Sequence, residues 1–204
     1  MLKQKVNVIT FQGLQLVFLG ERLIFKQMKH ITILLFTLGL ALHVPTVQAH
    51  NGVDRKVEKN IAKVWPKHEI SRKPMVFDTL MIDKYGLTEV HLFKLSNDSY
   101  IVGYLAISSA KGRFESFDYL MIFDSEMVIR RIDILVYRSS YGGEIASQSW
   151  LKQFYGKQDG VDMEFDKDID TISGATISAP SMAKSVKSVS RLMVEVSTKK
   201  TGAQ

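Results

Sequence analysis

The sequence predicts an α+β domain: a mostly antiparallel sheet of about five strands, flanked by helices. Three observations predict it. Apolar residues recur at helical spacing at both ends of the folded region, from Val53 to Val64 and from Met182 to Met193. Between them lie short runs rich in Val, Ile, Phe and Tyr. The polar breaks between those runs are too short for crossover helices, so the strands are expected to meander antiparallel.

Composition narrows the chemistry. Of the 204 residues, 46% are hydrophobic and 24% charged, a globular balance that argues against disorder. There is no cysteine, which excludes disulfides, thiolate metal sites and iron–sulfur clusters. Redox chemistry in this chain therefore needs an organic cofactor or a His/carboxylate metal site. The formal charge is +6, from 27 basic and 21 acidic residues. The first 49 residues hold five of the bases (Lys3, Lys5, Arg22, Lys26, Lys29) and one acid, Glu21. Subtracting them leaves 22 bases and 20 acids, a net of +2 with no basic cluster. Nucleic acid is not an expected partner.

The elements follow in order. Lys29 and His30 precede an apolar run from Ile31 to Leu42, then Pro45 and the small-residue pattern Val47-Gln48-Ala49. This reads as a secretory signal over residues 28–49, with Met28 as its natural start and residues 1–27 as an over-extended start. The apolar run is shorter than the ~20 residues that span a bilayer. Cleavage after Ala49 and a periplasmic or cell-envelope location are expected; the rival reading is an uncleaved membrane anchor. Residues 50–204 read as one domain.

Within that domain, Val53, Val57, Ile61 and Val64 give a helix that ends before Pro66. Strands are expected at Val76–Ile82, Glu89–Leu95, Tyr100–Ser108, Phe117–Phe123 and Val128–Tyr137. Asp124-Ser125-Glu126 is short enough to close a hairpin. Gly142-Gly143 opens an expected helix through Phe154, with Ala146, Trp150 and Phe154 on one stripe and Gly156 as its stop. The last helix starts near Pro180 and carries Met182, Val186, Val189 and Met193 on its apolar face.

The stretch that carries chemistry is Asp170-Thr171-Ile172-Ser173-Gly174-Ala175-Thr176-Ile177-Ser178. Gly174 and Ala175 let the backbone approach a ligand closely. The following helix start supplies unpaired N–H groups and a partial positive charge, which suit a phosphate. On residues alone, an ordinary hydroxyl-rich helix start with Ser178 as cap accounts for the same pattern.

Asp-x-x-Ser-Gly-Ala-Thr resembles the flavinylation motif of the FMN-binding domain family, found in the C subunit of the sodium-pumping NADH:quinone reductase and the G subunit of the Rnf complex. The likeness extends from about Val53 to Met193, through Asn60–Pro66, Ser108–Phe114 and the Gly142-Gly143-Glu144-Ile145 turn with Trp150 and Phe154. It implies FMN attached by phosphoester to Thr176, with Asp170, Ser173, Gly174 and Ala175 at the matching motif positions. It also implies a separate flavin transferase that uses FAD, and a membrane or periplasmic redox partner. The respiratory subunits carry Glu-Thr-Pro-Gly before the second helix, where this chain has Ser-Tyr-Gly-Gly-Glu.

Other candidates read as structural. Asp162, Glu164, Asp166, Asp168 and Asp170 alternate and would share one face of an extended segment. A solvated acidic edge is the expectation, with a Ca²⁺ or Mg²⁺ site as the rival. His50, His68 and His91 are not spaced as metal ligands. Lys111, Arg113 and Tyr141 fall in expected loops where they can meet flavin phosphate or ring; a turn aromatic packed on the sheet explains Tyr141 equally well. No nicotinamide fingerprint is present, so an electron carrier is expected rather than a self-sufficient enzyme. The alternatives are an FMN-dependent reductase of a small acceptor and a flavin-free binding module of the same fold.

Overall fold

Five antiparallel strands, hydrogen-bonded in sequence order, form one open sheet in a computed structural model that describes residues 47–98 and 100–201. The residues from His50 onward belong to one compact unit. The expected leader, 28–49, and the segment 1–27 lie outside the described residues apart from Val47–Ala49. Among the described residues, no helix is long and apolar enough to cross a membrane. The α+β class and the five-stranded meander are as the sequence predicts.

Helix α1 (Val47–Val64) precedes the sheet. Strands β1 (Ser71–Pro74), β2 (Val90–Asn97), β3 (Tyr100–Lys111), β4 (Ser116–Asp124) and β5 (Ile129–Val136) follow, with helix α2 (Leu80–Lys84) between β1 and β2. After β5 come a 3₁₀ turn (Gly143–Ala146), helix α3 (Gln148–Leu151), a second 3₁₀ turn (Lys152–Phe154) and the long helix α4 (Ser178–Thr201).

The two faces of the sheet sort side chains by parity, as the two-residue repeat of a strand requires. On β4, Phe117, Tyr119, Met121 and Phe123 join the buried cluster that contains Met182, Val186, Val189 and Met193 of α4. Leu120 and Ile122 face the other way and join Val57 and Ile61 of α1. The sheet thus lies between α1 and α4, which is why β4 reads as an unbroken apolar run. Asn60, buried on α1, donates to Asp133 Oδ2 at 3.0 Å and accepts from Arg131 Nε, which ties α1 to β5.

The β4–β5 hairpin closes where expected. Asp124 Oδ1 accepts from the backbone N–H groups of Glu126 and Val128, both at 3.0 Å, and so holds the turn.

Two expectations need correction. The strand expected at Val76–Ile82 does not form; the first strand is Ser71–Pro74, paired with Phe93–Ser96. Asp78 Oδ1 accepts from Leu80 N–H at 2.9 Å and starts α2 instead. Val76 is 86% exposed and Leu80 71% exposed, so their alternation faces no sheet. Met75 and Met81 are buried in the core, and Phe77 and Ile82 pack against it.

The single helix expected from Gly142 to Phe154 is interrupted at Ser147, which is extended (φ −59°, ψ 121°). The break rotates the chain so that Ile145 is buried in place of Ala146, while Trp150 and Phe154 keep their expected burial. Gly156 ends the segment with φ 80°, its N–H donating to Ile129 O at 2.9 Å.

The acidic segment is not extended. Asp162 (φ 52°) and Asp166 (φ 64°) turn the backbone, and Asp168 Oδ2 accepts from Glu164 N–H at 2.9 Å. The turns bury Met163 and Ile169. Among the described residues, no group of three or more His, Asp or Glu is placed to hold a metal ion.

Candidate functional site

The N-terminal end of α4 is the focus of the site. The first residues of any helix leave N–H groups without intrahelical partners. In α4 the Ala179 N–H reaches back to Ala175 O at 2.9 Å. Among the described residues, no backbone carbonyl accepts from the N–H groups of Thr176, Ile177 or Ser178. Thr176 itself is exposed, so its hydroxyl is open to a reacting partner. Three donors, the positive end of a 24-residue helix and an accessible hydroxyl make an arrangement suited to a phosphate or phosphoester.

A pocket of about 90 Å³ opens beside them, lined by Arg113, Tyr141, Gly142, Gly174, Ala175, Thr176, Ile177 and Ser178. Sites that enclose a drug-sized ligand run to roughly 300–1,000 Å³. This one fits a phosphate and the start of a chain, while a fused ring system must lie outside it.

The walls are set by neighbouring loops. Gly174 has φ 86°, and an ideal Cβ there would meet Glu144 Cδ at 2.6 Å. Glu144 thus packs against the motif loop at Gly174, and it is not among the residues that line the pocket. Arg113 is, so the pocket is lined by a cation. The 137–142 loop is fastened to the helix start: Tyr137 Oη donates to Tyr141 O at 2.6 Å and lies 3.0 Å from Ser178 Oγ. Ser178 is therefore a buried tie between two segments rather than a free cap.

Of the motif residues, Gly174, Ala175 and Thr176 line the pocket, while Ser173 and Asp170 are exposed and do not. Asp170 is held through its backbone. Its N–H donates to Gln153 Oε1 at 2.8 Å, and its carbonyl accepts from Trp150 Nε1 at 2.7 Å. Its side chain is not among those that line the pocket, which suits a phosphate, since a carboxylate there would repel it. Lys111 takes no part in the lining; its N–H donates to Ser181 Oγ at 2.9 Å and docks the end of β3 on α4. His91 pairs with Glu89 at 2.9 Å and His68 with Asn97 at 3.1 Å, while the side chain of His50 lies outside the described residues.

Sequence reasoning missed the contacts made by Glu144 and Tyr137, and the Trp150–Asp170 bond. These residues come from distant points in the chain, and no local spacing announces such contacts.

The residues present fit an FMN phosphoester on this geometry: open N–H donors, a cation at the wall and an exposed hydroxyl. Residues 101–190, from β3 into α4 and including every residue of the pocket, match the model of the FMN-binding domain. No curated protein matches the chain.

Proposed function

We propose, on the match of residues 101–190 to the FMN-binding domain, that the chain is an extracytoplasmic electron carrier whose FMN is joined by a phosphoester to Thr176. The observation that carries this reading is the exposed Thr176 hydroxyl beside the unpaired N–H groups that open α4. The flavin transferase and the redox partner are part of the proposal, as are export and removal of the leader.

Thr176 acts as acceptor. Its Oγ1 forms the bond to the FMN phosphorus of FAD, the pyrophosphate P–O bond breaks, AMP leaves, and the hydroxyl proton passes to a base of the transferase. A threonine hydroxyl is a weak nucleophile without such a base, and no histidine lines the pocket. Once the ester is formed, the N–H groups of Thr176, Ile177 and Ser178 and the Arg113 guanidinium hold its remaining negative charge. Bound FMN supplies the electron-transfer chemistry; the protein supplies its orientation and exposure. The small pocket leaves a tethered ring accessible to a docking partner, and transient redox encounters use small interfaces of this kind.

Stopped-flow mixing of the flavinylated protein with dithionite, NADH and NADPH tests the carrier reading. Rapid bleaching by dithionite and slow or absent bleaching by either nicotinamide is expected. Saturable reduction by NADH or NADPH, sustained over many turnovers with a small acceptor, establishes a reductase instead.

A further inference from the structure

Two large aromatic side chains stand in solvent at the rim of the Thr176 pocket. Phe114 is 70% exposed and Tyr141 is 58% exposed. They meet edge to face, with ring centroids 6.0 Å apart and planes at 64°. The Arg113 guanidinium lies over both rings, 5.3 Å from the Phe114 centroid and 5.5 Å from that of Tyr141. Arg113 and Tyr141 line the pocket with Thr176, and Phe114 extends the same surface outward.

Exposed apolar residues scattered singly are ordinary, but a contiguous aromatic pair with a stacked cation marks a surface that binds something. The pair is also held in place before any ligand arrives. Tyr141 O accepts from Tyr137 Oη, Tyr141 N–H donates to Ser139 Oγ at 3.2 Å, and Gly112 N–H closes the β3–β4 turn on Glu115 O at 3.0 Å. Pre-ordered loops lower the entropic cost of binding.

We infer that Arg113, Phe114 and Tyr141 form the platform that receives the isoalloxazine ring, with the Tyr141 phenol ring as its stacking face; the inference rests on the attachment at Thr176. The pocket is too small to enclose the ring, so the ring lies on the rim, and the rim is aromatic where it meets Tyr141. A ring tethered at Thr176 is at high effective concentration over that surface. Its oxidised form is an electron-poor plane that pairs well with the electron-rich face of a phenol. Arg113 serves both ends: stacked on the two rings, it brings its positive charge to the pocket that takes the phosphoester.

The test uses the full chain, coexpressed with a flavin transferase, with flavin content fixed by intact mass. Phenols in contact with isoalloxazine quench its fluorescence by electron donation, whereas a benzene ring does not. The folded wild-type protein is expected to be several-fold dimmer than the same protein unfolded in guanidinium, and to show induced visible circular dichroism. Tyr141→Phe brightens the folded protein several-fold and keeps the dichroism. Tyr141→Ala brightens it and loses the dichroism. Tyr100→Phe, an exposed tyrosine at the far end of β3, changes neither. Fully flavinylated Tyr141 variants that match wild type in both signals overturn the platform and leave the attachment standing. A wild-type protein without the flavin mass overturns the attachment, and the platform with it.

Discussion

Gly142 packs so closely on Ser178 that a Cβ at position 142 would lie 2.6 Å from the Ser178 hydroxyl oxygen, and equally close to the phenol oxygen of Tyr137. The loop after β5 and the first residue of α4 are thus locked at a point where the backbone has φ 83°. That lock sets one wall of the pocket.

Gly142→Ala is therefore expected to destabilise the fold by about 2–4 kcal/mol, from left-handed strain plus overpacking of Ser178 and Tyr137. Gly174→Ala has a similar φ, but its nearest neighbour is the end of the exposed Glu144 side chain, which can move. It is expected to cost only about 1–2 kcal/mol, the strain alone. Urea unfolding of both variants checks the order; equal losses would contradict it.

The expected alkaline behaviour centres on Tyr119. Its ring is fully buried between the sheet and α4, and its hydroxyl lies 2.6 Å from Ser185 Oγ. Ser185 in turn donates to Ser109 O at 3.3 Å, so Tyr119 is the donor in the pair. Burial pushes the phenol from 10.0 to about 12, against the smaller opposing pull of the neighbouring Ser185 and Ser108 hydroxyls. An acid whose folded pKa is raised contributes its stability in full below pH 10 and loses it as pH rises toward 12. Tyr119→Phe should therefore show a smaller fall in stability across that alkaline window than wild type. Parallel curves for the two proteins would show that Tyr119 ionisation is not what limits alkaline stability.

Much of this architecture was legible in the sequence. The stripe Met182, Val186, Val189 and Met193 is fully buried as its spacing predicts, because a long helix with one apolar face has one way to pack. Strands β2 to β5 fall within a few residues of expectation for the same kind of reason. The misread segments are those where a local polar bond outweighs the pattern. Asp78 accepts from Leu80 N–H just before a helix, within a run that alternates like a strand, and Ser147, its hydroxyl bonded to that of Ser149, breaks a run that repeats like a helix. At the site, Thr176, Ala175 and Gly174 come from one motif and were found together. Arg113 and Tyr141 arrive from loops about 30 to 60 residues away in sequence, and only the fold brings them to the same pocket.

The proposed leader gives a prediction of its own. The short apolar run from Ile31 to Leu42 and the Val47-Gln48-Ala49 pattern point to cleavage after Ala49. Mass spectrometry of the exported protein should find His50 first. Recovery of the intact Lys29–Leu42 segment in a membrane fraction would favour an anchor.

The most direct test of the central claim is intact mass and visible absorbance, under denaturing conditions, of wild type and Thr176→Ala coexpressed with a flavin transferase. The substitution removes the proposed attachment oxygen from an exposed turn and should change stability by no more than about 0.5 kcal/mol. Wild type is expected to carry the mass of FMN less water and to stay yellow through denaturing gel filtration, while folded Thr176→Ala carries neither mass nor colour. Covalent flavin on Thr176→Ala, or none on wild type, would contradict the account.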